Sequence, residues 1–151
     1  MALKETISEH LKNAMKAGDK TRLETLRTLR AVLMEKEIEL RGSGKQMTPD
    51  DEVAVLTSAA KKRWESIEQF HAAGRMELVE QETAELKIIQ EYLPKQLDEK
   101  EILTVIEEVV AAVGATGASD FGKVMPQVMK QLKGKADGRL IQELVKRRLG
   151  A

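Results

Sequence analysis

Apolar residues recur every three or four positions along almost the whole chain, and this spacing places them on one face of successive helices. No segment of useful length alternates apolar and polar residues with the period of two that a half-buried strand requires. The sequence therefore predicts an all-α, multihelical fold. In the first helix the expected buried face carries Leu3, Ile7, Leu11 and Ala14.

Residues typical of helix ends separate the periodic segments. Gly18 suits the end of the first helix, and Asp19 is placed to cap the second. Thr48, Pro49 and Asp51 combine a capping hydroxyl, a proline in the first turn and an acid three residues after the cap. Together they predict the start of the third helix.

The helical pattern stops at Pro94–Leu97 and resumes with the capping pair Asp98 and Glu101. We therefore expect two small helical domains, 1–93 with about four helices and 94–151 with about three. Trp64 and Phe70 are assigned to the core or to packing between helices of the first domain, because large aromatic side chains contribute much apolar area to such packing.

Composition is typical of a folded helical protein, since 42% of residues are hydrophobic and 33% are charged. No apolar run approaches the roughly 18 residues of a membrane helix, and the first ten residues contain Lys4, Glu5 and Glu9. We expect no membrane association and a cytoplasmic location. The absence of cysteine excludes disulfides, thiolate metal ligands and a cysteine nucleophile.

Charge is unevenly distributed although the formal net charge is zero. Residues 1–64 sum to +3, residues 65–114 to −8 and residues 115–151 to +5. Such a distribution orients a molecule that approaches a polyanion, because the acidic middle is repelled and the basic end attracted.

The stretch 120–138 is the most informative for function. Asp120 and Asp137 are each expected to cap a helix, so two short helices meet at a basic corner. The first of them has a predicted apolar stripe of Val124, Met125, Val128 and Met129, and the two methionines are assigned to the core because of this spacing. Pro126 lies inside this helix, and a kink after Gly122 is expected.

Eight basic residues fall within the last 29 positions and are expected to project from two adjoining helices and their corner: Lys123, Lys130, Lys133, Lys135, Arg139, Lys146, Arg147 and Arg148. Such charges bind phosphate oxygens, as does a helix start like the one at Gly138. The same set also fits an ordinary solvated face with cations near a helix end. The pattern alone therefore indicates only a polyanion.

Three segments of the chain resemble the GatB/YqeY family, which comprises the tail module of the GatB component of tRNA-dependent amidotransferases and its free-standing YqeY relatives. The first is the stretch 120–138 described above. The others are Leu11–Lys20, followed by Leu26, Arg27 and Leu29, and the turn Tyr92–Leu97. The resemblance spans most of the chain, which is identified as a free-standing YqeY-like member because no counterpart of the amidotransferase's catalytic portion is present.

The resemblance implies a non-catalytic module that binds folded tRNA through the basic residues near the carboxyl end. It implies tRNA as a partner, and an amidotransferase or another protein of tRNA metabolism as a second. Aromatic content of only 3% favours a folded RNA over a stacked single strand. Two alternatives are a helical protein-interaction adaptor, and a carbon–nitrogen ligase with glutamine as amido-N-donor, which is suggested by the family label alone.

Several fragments imitate enzyme motifs but lack the context of those motifs. Gly117–Lys123 has the spacing of a phosphate-binding loop, yet Val124 replaces the magnesium-binding hydroxyl and no strand precedes it. The two histidines, His10 and His71, lie on different predicted helices. We therefore expect no catalytic residue, no metal and no cofactor.

Overall fold

The structure is a computed structural model that describes residues 2–150. Regular structure in this range is helical, which confirms the all-α prediction. The α-helices are α1 (Leu3–Ala17), α2 (Lys20–Gly42), α3 (Pro49–Ala72), α4 (Met76–Gln90), α5 (Glu99–Val113), α6 (Phe121–Leu132) and α7 (Gly138–Leu149). A short 3-10 helix, Ala118–Asp120, precedes α6.

The chain divides into two compact units, unit 1 (Met1–Leu93) and unit 2 (Pro94–Ala151). Each has its own cluster of buried apolar side chains. The cluster of unit 1 contains Ile7, Leu11, Ala14, Leu26, Leu29, Leu33, Leu56, Ala60, Leu86, Ile88 and Ile89. The cluster of unit 2 contains Ile102, Ile106, Val109, Val110, Val124, Val128, Leu132, Ile141, Leu144, Val145 and Leu149.

The predicted capping residues define the helix bounds. Gly18 ends α1 in the left-handed conformation with φ 70°, which glycine adopts without steric cost. The Asp19 carboxylate accepts a hydrogen bond from the backbone N–H of Arg22 at the start of α2. Thr48 with Asp51 and Asp98 with Glu101 form reciprocal capping boxes at α3 and α5. These predictions are confirmed.

In unit 1, α1 packs on α2 and α3 packs on α4, and α2 also contacts both α3 and α4. The far half of the α3–α4 hairpin contributes little to the core: no residue in the described stretch 61–84 is buried, although the partly buried Ile67 packs against the core cluster. Trp64 lies in this half and is 37% exposed. The prediction that Trp64 belongs to the core was therefore wrong, whereas its packing between helices stays a prediction.

In unit 2, α5, α6 and α7 surround one core. Helix α6 includes Pro126 and continues to Leu132, so the kink expected after Gly122 stays a prediction. Val124 and Val128 are buried, whereas Met129 is 37% exposed. The prediction that Met129 belongs to the core was wrong, because each step along a helix turns the side chain by about 100° and carries Met129 off the buried face.

Within residues 2–150, no single helix has both the length and the apolar composition to cross a membrane. The pair Glu99–Val113 and Ala118–Leu132 meets these criteria together but is bent by 92°.

Candidate nucleic-acid interface

The corner between α6 and α7 is built around a buried glycine. Gly134 has φ 75°, and it lies between Lys133 and Lys135, which are both exposed. The backbone N–H of Lys135 donates to the carbonyl of Leu132 at 2.8 Å, which closes the turn that follows α6. Glycine is suited to this position because a side chain at positive φ costs about 1 kcal/mol or more.

The turn before α5 contacts this corner directly. The backbone N–H of Leu97 donates to the carbonyl of Lys135 at 2.8 Å. The side-chain amide nitrogen of Gln96 donates to the carbonyl of Gly134 at 2.7 Å and to that of Pro94 at 2.8 Å. Sequence reasoning named Tyr92–Leu97 and the basic corner separately and missed their contact, although both segments carry the family resemblance.

Asp137 caps α7 as predicted. Its carboxylate accepts a hydrogen bond from the backbone N–H of Arg139 at 3.4 Å. At the first position of α7, the Met129 ε-methyl lies 3.7 Å from the place where a side chain of residue 138 would start. The half-exposed Met129 therefore lies beside the start of α7.

Asp120 does not cap α6, so that prediction was wrong. The 3-10 turn Ala118–Asp120 directs its carboxylate backwards, where it accepts a hydrogen bond from the backbone N–H of Thr116 at 2.9 Å. This hydrogen bond is the largest cause that holds the pKa of Asp120 below its ordinary value. The carboxylate therefore stabilises the loop before α6 instead of the helix start.

Four of the eight predicted basic residues lie in two pairs on the solvent faces of α6 and α7. Lys123 and Lys130 are seven residues apart on α6, and Arg139 and Lys146 are seven apart on α7, so each pair shares one helix face. All four side chains belong to exposed residues, opposite the buried residues of their helices.

The cations near the end of α7 have carboxylate partners. Arg147 lies 3.7 Å from Glu99 of α5 and 3.4 Å from Glu143 of its own helix. Arg148 donates hydrogen bonds to Glu107 of α5, and these are the main cause of its raised pKa. Two α5 carboxylates of the acidic middle segment therefore neutralise the last two arginines.

Lys123 and Lys146 make weaker contacts within unit 2. The Lys123 ammonium is 3.6 Å from the Asp120 carboxylate. The Lys146 ammonium lies 6.0 Å from the centroid of the Phe121 ring, at the outer limit of a cation–π contact. Both lysines remain exposed to solvent.

The corner lysines differ from this group. Lys130, Lys133 and Lys135 are exposed, and none of them forms an ion pair with the acidic residues that the structure describes. They fall within six consecutive positions that span the end of α6 and the turn after it. Of the predicted set, these three form the most concentrated uncompensated charge.

A family model of Yqey-like proteins matches residues 4–149. The chain belongs to the YqeY-like family. This YqeY-like protein is 30% identical over 145 residues to Altered inheritance of mitochondria protein 41, mitochondrial, of Pyrenophora tritici-repentis, covering 93% of this chain and 77% of that relative. A protein of the same name from Eremothecium gossypii is 36% identical over 90 residues, covering 58% of this chain and 46% of that relative. An uncharacterised Schizosaccharomyces pombe protein is 32% identical over 93 residues, covering 62% of this chain and 73% of that relative.

The names of these relatives contradict the cytoplasmic location expected from the sequence. The Pyrenophora and Eremothecium proteins carry the word mitochondrial, as does a relative of the same name from Lachancea thermotolerans. The expectation was wrong because composition and the lack of a long apolar run describe any folded chain in an aqueous compartment. They do not distinguish the cytoplasm from the interior of an organelle.

Proposed function

We propose that this YqeY-like protein is a non-catalytic module that binds the folded body of tRNA through the basic residues of unit 2. The observation that carries the proposal is the α6–α7 corner, where Lys130, Lys133 and Lys135 are exposed and have no acidic partner among the described residues. Phosphate oxygens are the natural ligands of such a cluster, since each lysine replaces a condensed counterion of the RNA.

Four of the five remaining cations divide into two groups under this proposal. Arg139 and Lys146 share the solvent face of α7 and extend the basic surface away from the corner. Arg147 and Arg148 are held by Glu99, Glu143 and Glu107, so their charges are largely balanced within unit 2. We therefore assign the dominant phosphate contacts to the corner and smaller contributions to the two paired arginines.

Charge reversal at the corner tests the proposal. In the triple variant Lys130→Glu, Lys133→Glu, Lys135→Glu, retention of tRNA in a gel-shift titration should be lost. If each lysine neutralises one phosphate, the wild-type dependence of log affinity on log salt includes a slope of about −2 to −3 from the corner alone. A wild-type affinity that does not change with salt would contradict the proposal.

A matched control carries the same change in net charge elsewhere. Lys20, Lys45 and Lys87 are exposed lysines of unit 1, and their reversal leaves the residues of the corner unchanged. This control should bind tRNA within about twofold of wild type, since it retains the three corner lysines that are proposed to contact the phosphates. Equal losses in the two triple variants would show that net charge, and not the corner, determines binding.

A further inference from the structure

One side chain from the turn before α5 is bonded to the basic corner that lies 38 residues later in the sequence. Gln96 donates to the carbonyls of Pro94 and Gly134 through a single amide nitrogen, at 2.8 and 2.7 Å. The adjacent backbone N–H of Leu97 donates to the carbonyl of Lys135. Two consecutive carbonyls of the corner are thus held by two consecutive residues of the turn.

The held carbonyls belong to the part of the corner that has the most conformational freedom. Gly134 rotates more freely than any residue with a side chain, and it is the only residue between Lys133 and Lys135. Rotation about its backbone bonds would change the angle at which the two lysines leave the chain. A donor that fixes the Gly134 carbonyl therefore fixes the relative direction of the two ammonium groups.

We infer that Gln96 is a positioning residue for the phosphate-binding surface: its amide bridge between the Pro94 and Gly134 carbonyls sets the direction of Lys133 and Lys135. The inference rests on the function proposed above. Glutamine suits this role because its amide offers two N–H donors on one atom, which satisfy two carbonyls at once. Methionine has a similar length and no donor.

The test compares tRNA binding by the full chain with Gln96→Met and with Gln81→Met. Gln81 is an exposed glutamine of α4, so the second variant makes the same chemical change in unit 1. Gln96→Met should weaken binding by about three- to tenfold, as expected for hydrogen bonds that orient a charged contact, and Gln81→Met should bind as wild type. Wild-type affinity in Gln96→Met would overturn the inference. If Gln96→Met does not fold, Gln96→Ala replaces it with the same expected outcome.

A thermodynamic cycle separates positioning from general destabilisation. In a chain that already carries Lys133→Ala and Lys135→Ala, adding Gln96→Met should change tRNA affinity by less than about twofold, because no ammonium group is left to position. A loss in this background as large as in the wild-type background would overturn the inference, since Gln96 would then act through overall stability.

Amide hydrogen exchange measures the stability of the hydrogen bonds at the corner in the absence of RNA. The Leu97 amide bonds to the Lys135 carbonyl, so its exchange should be faster in Gln96→Met than in wild type, and unchanged in Gln81→Met. Unchanged Leu97 exchange in Gln96→Met would overturn the inference.

The binding experiments distinguish failure of this inference from failure of the proposed function. If wild type binds tRNA and Gln96→Met has no effect on the affinity, this inference alone is rejected. If the wild-type chain fails to bind tRNA, the proposed function is rejected and this inference with it.

Discussion

Gly134 is buried, and its backbone has a positive φ of 75°, so the residue at this position has no low-strain alternative to glycine. Gly134→Ala should lower the free energy of unfolding of unit 2 by about 1 kcal/mol or more. Gly122 provides a matched control, because it lies in α6 with ordinary dihedrals and has open space where a methyl group would go. Gly122→Ala should stabilise by about 0.5 kcal/mol.

Urea unfolding monitored by circular dichroism measures both glycine variants. The two are expected to shift the midpoint in opposite directions although the chemical change is the same. A Gly134→Ala chain as stable as wild type would show that the corner relaxes to a negative φ, and its shape would then not depend on glycine.

Arg63 connects α3 to two carboxylates of α4. Its Nη1 nitrogen donates to Glu82 at 3.0 Å and lies 2.9 Å from a carboxylate oxygen of Glu85. That Glu85 oxygen is buried and has no hydrogen-bond partner of good geometry within the described residues, so Arg63 supplies its main compensation. Arg63→Leu should destabilise unit 1 by about 2 kcal/mol, because it leaves a buried charge without its counter-ion.

Two comparisons check the role of Arg63 in thermal unfolding. Arg63→Leu combined with Glu85→Leu should recover part of the lost stability, since the uncompensated charge is removed as well. Arg75 pairs with Glu77 at the surface, and Arg75→Leu should cost no more than about 0.5 kcal/mol. Equal costs for Arg63→Leu and Arg75→Leu would mean that burial of Glu85 adds nothing.

At the scale of single elements, α2 is tied to the end of α4 by one bidentate ion pair. Two guanidinium nitrogens of Arg22 donate to the two carboxylate oxygens of Glu91 at 2.7 and 2.9 Å. The hydrogen bond from Arg22 is the largest cause that lowers the pKa of Glu91 below its ordinary value of 4.5. A lowered pKa contributes stability above the ordinary value, and this contribution is lost as the pH falls through the lowered pKa.

Arg22→Met should therefore destabilise unit 1 at about pH 7 and have a much smaller effect at about pH 3, where Glu91 is protonated to a much greater extent. Urea midpoints at the two pH values measure the difference. Arg27 is an exposed residue of the same helix, and Arg27→Met should show no such pH dependence. A loss in Arg22→Met that is the same at both pH values would argue for lost packing instead of a lost ion pair.

The helix bounds followed from sequence because capping is local: Thr48 and Asp51 are three residues apart, and so are Asp98 and Glu101. Exposure did not follow, because it depends on which neighbour covers a helix face. Trp64 has an apolar side chain at a helical position, yet it is 37% exposed. Periodicity shows which side of a helix is apolar, and it does not show how much of that side is covered.

The candidate site was also predicted only in part from the sequence. Sequence identified the basic residues of unit 2, but their partners depend on contacts between distant positions. Arg148 and Glu107 are 41 residues apart, and Gln96 and Gly134 are 38 apart. The net charge of each segment suggested an acidic middle distinct from a basic end. In the structure, however, two acidic residues of the middle segment, Glu99 and Glu107 of α5, lie against the last arginines of α7.

At the scale of the whole molecule, aromatic residues are few, and most of them lie outside the unit that contains the basic corner. The chain has two Phe, one Trp and one Tyr, and only Phe121 belongs to unit 2. Phe121 packs partly against the core and lies under Lys146. Single-strand binding proteins rely on exposed aromatic platforms, which contribute about 1 to 3 kcal/mol per base. A surface of lysines without such platforms is suited to the phosphates of a folded RNA.

We therefore expect a tRNA to be bound at least about tenfold more tightly than an RNA of the same length and base composition whose order has been shuffled to prevent pairing. Competition in a gel-shift assay measures this ratio, and the equal phosphate number of the two RNAs removes total charge as the explanation. Phe121→Leu should leave the ratio unchanged, because the ring is not proposed to stack on a base. Equal affinity for the two RNAs would show that the surface recognises a polyanion without regard to its fold, and a ratio that depends on Phe121 would restore stacking as part of recognition.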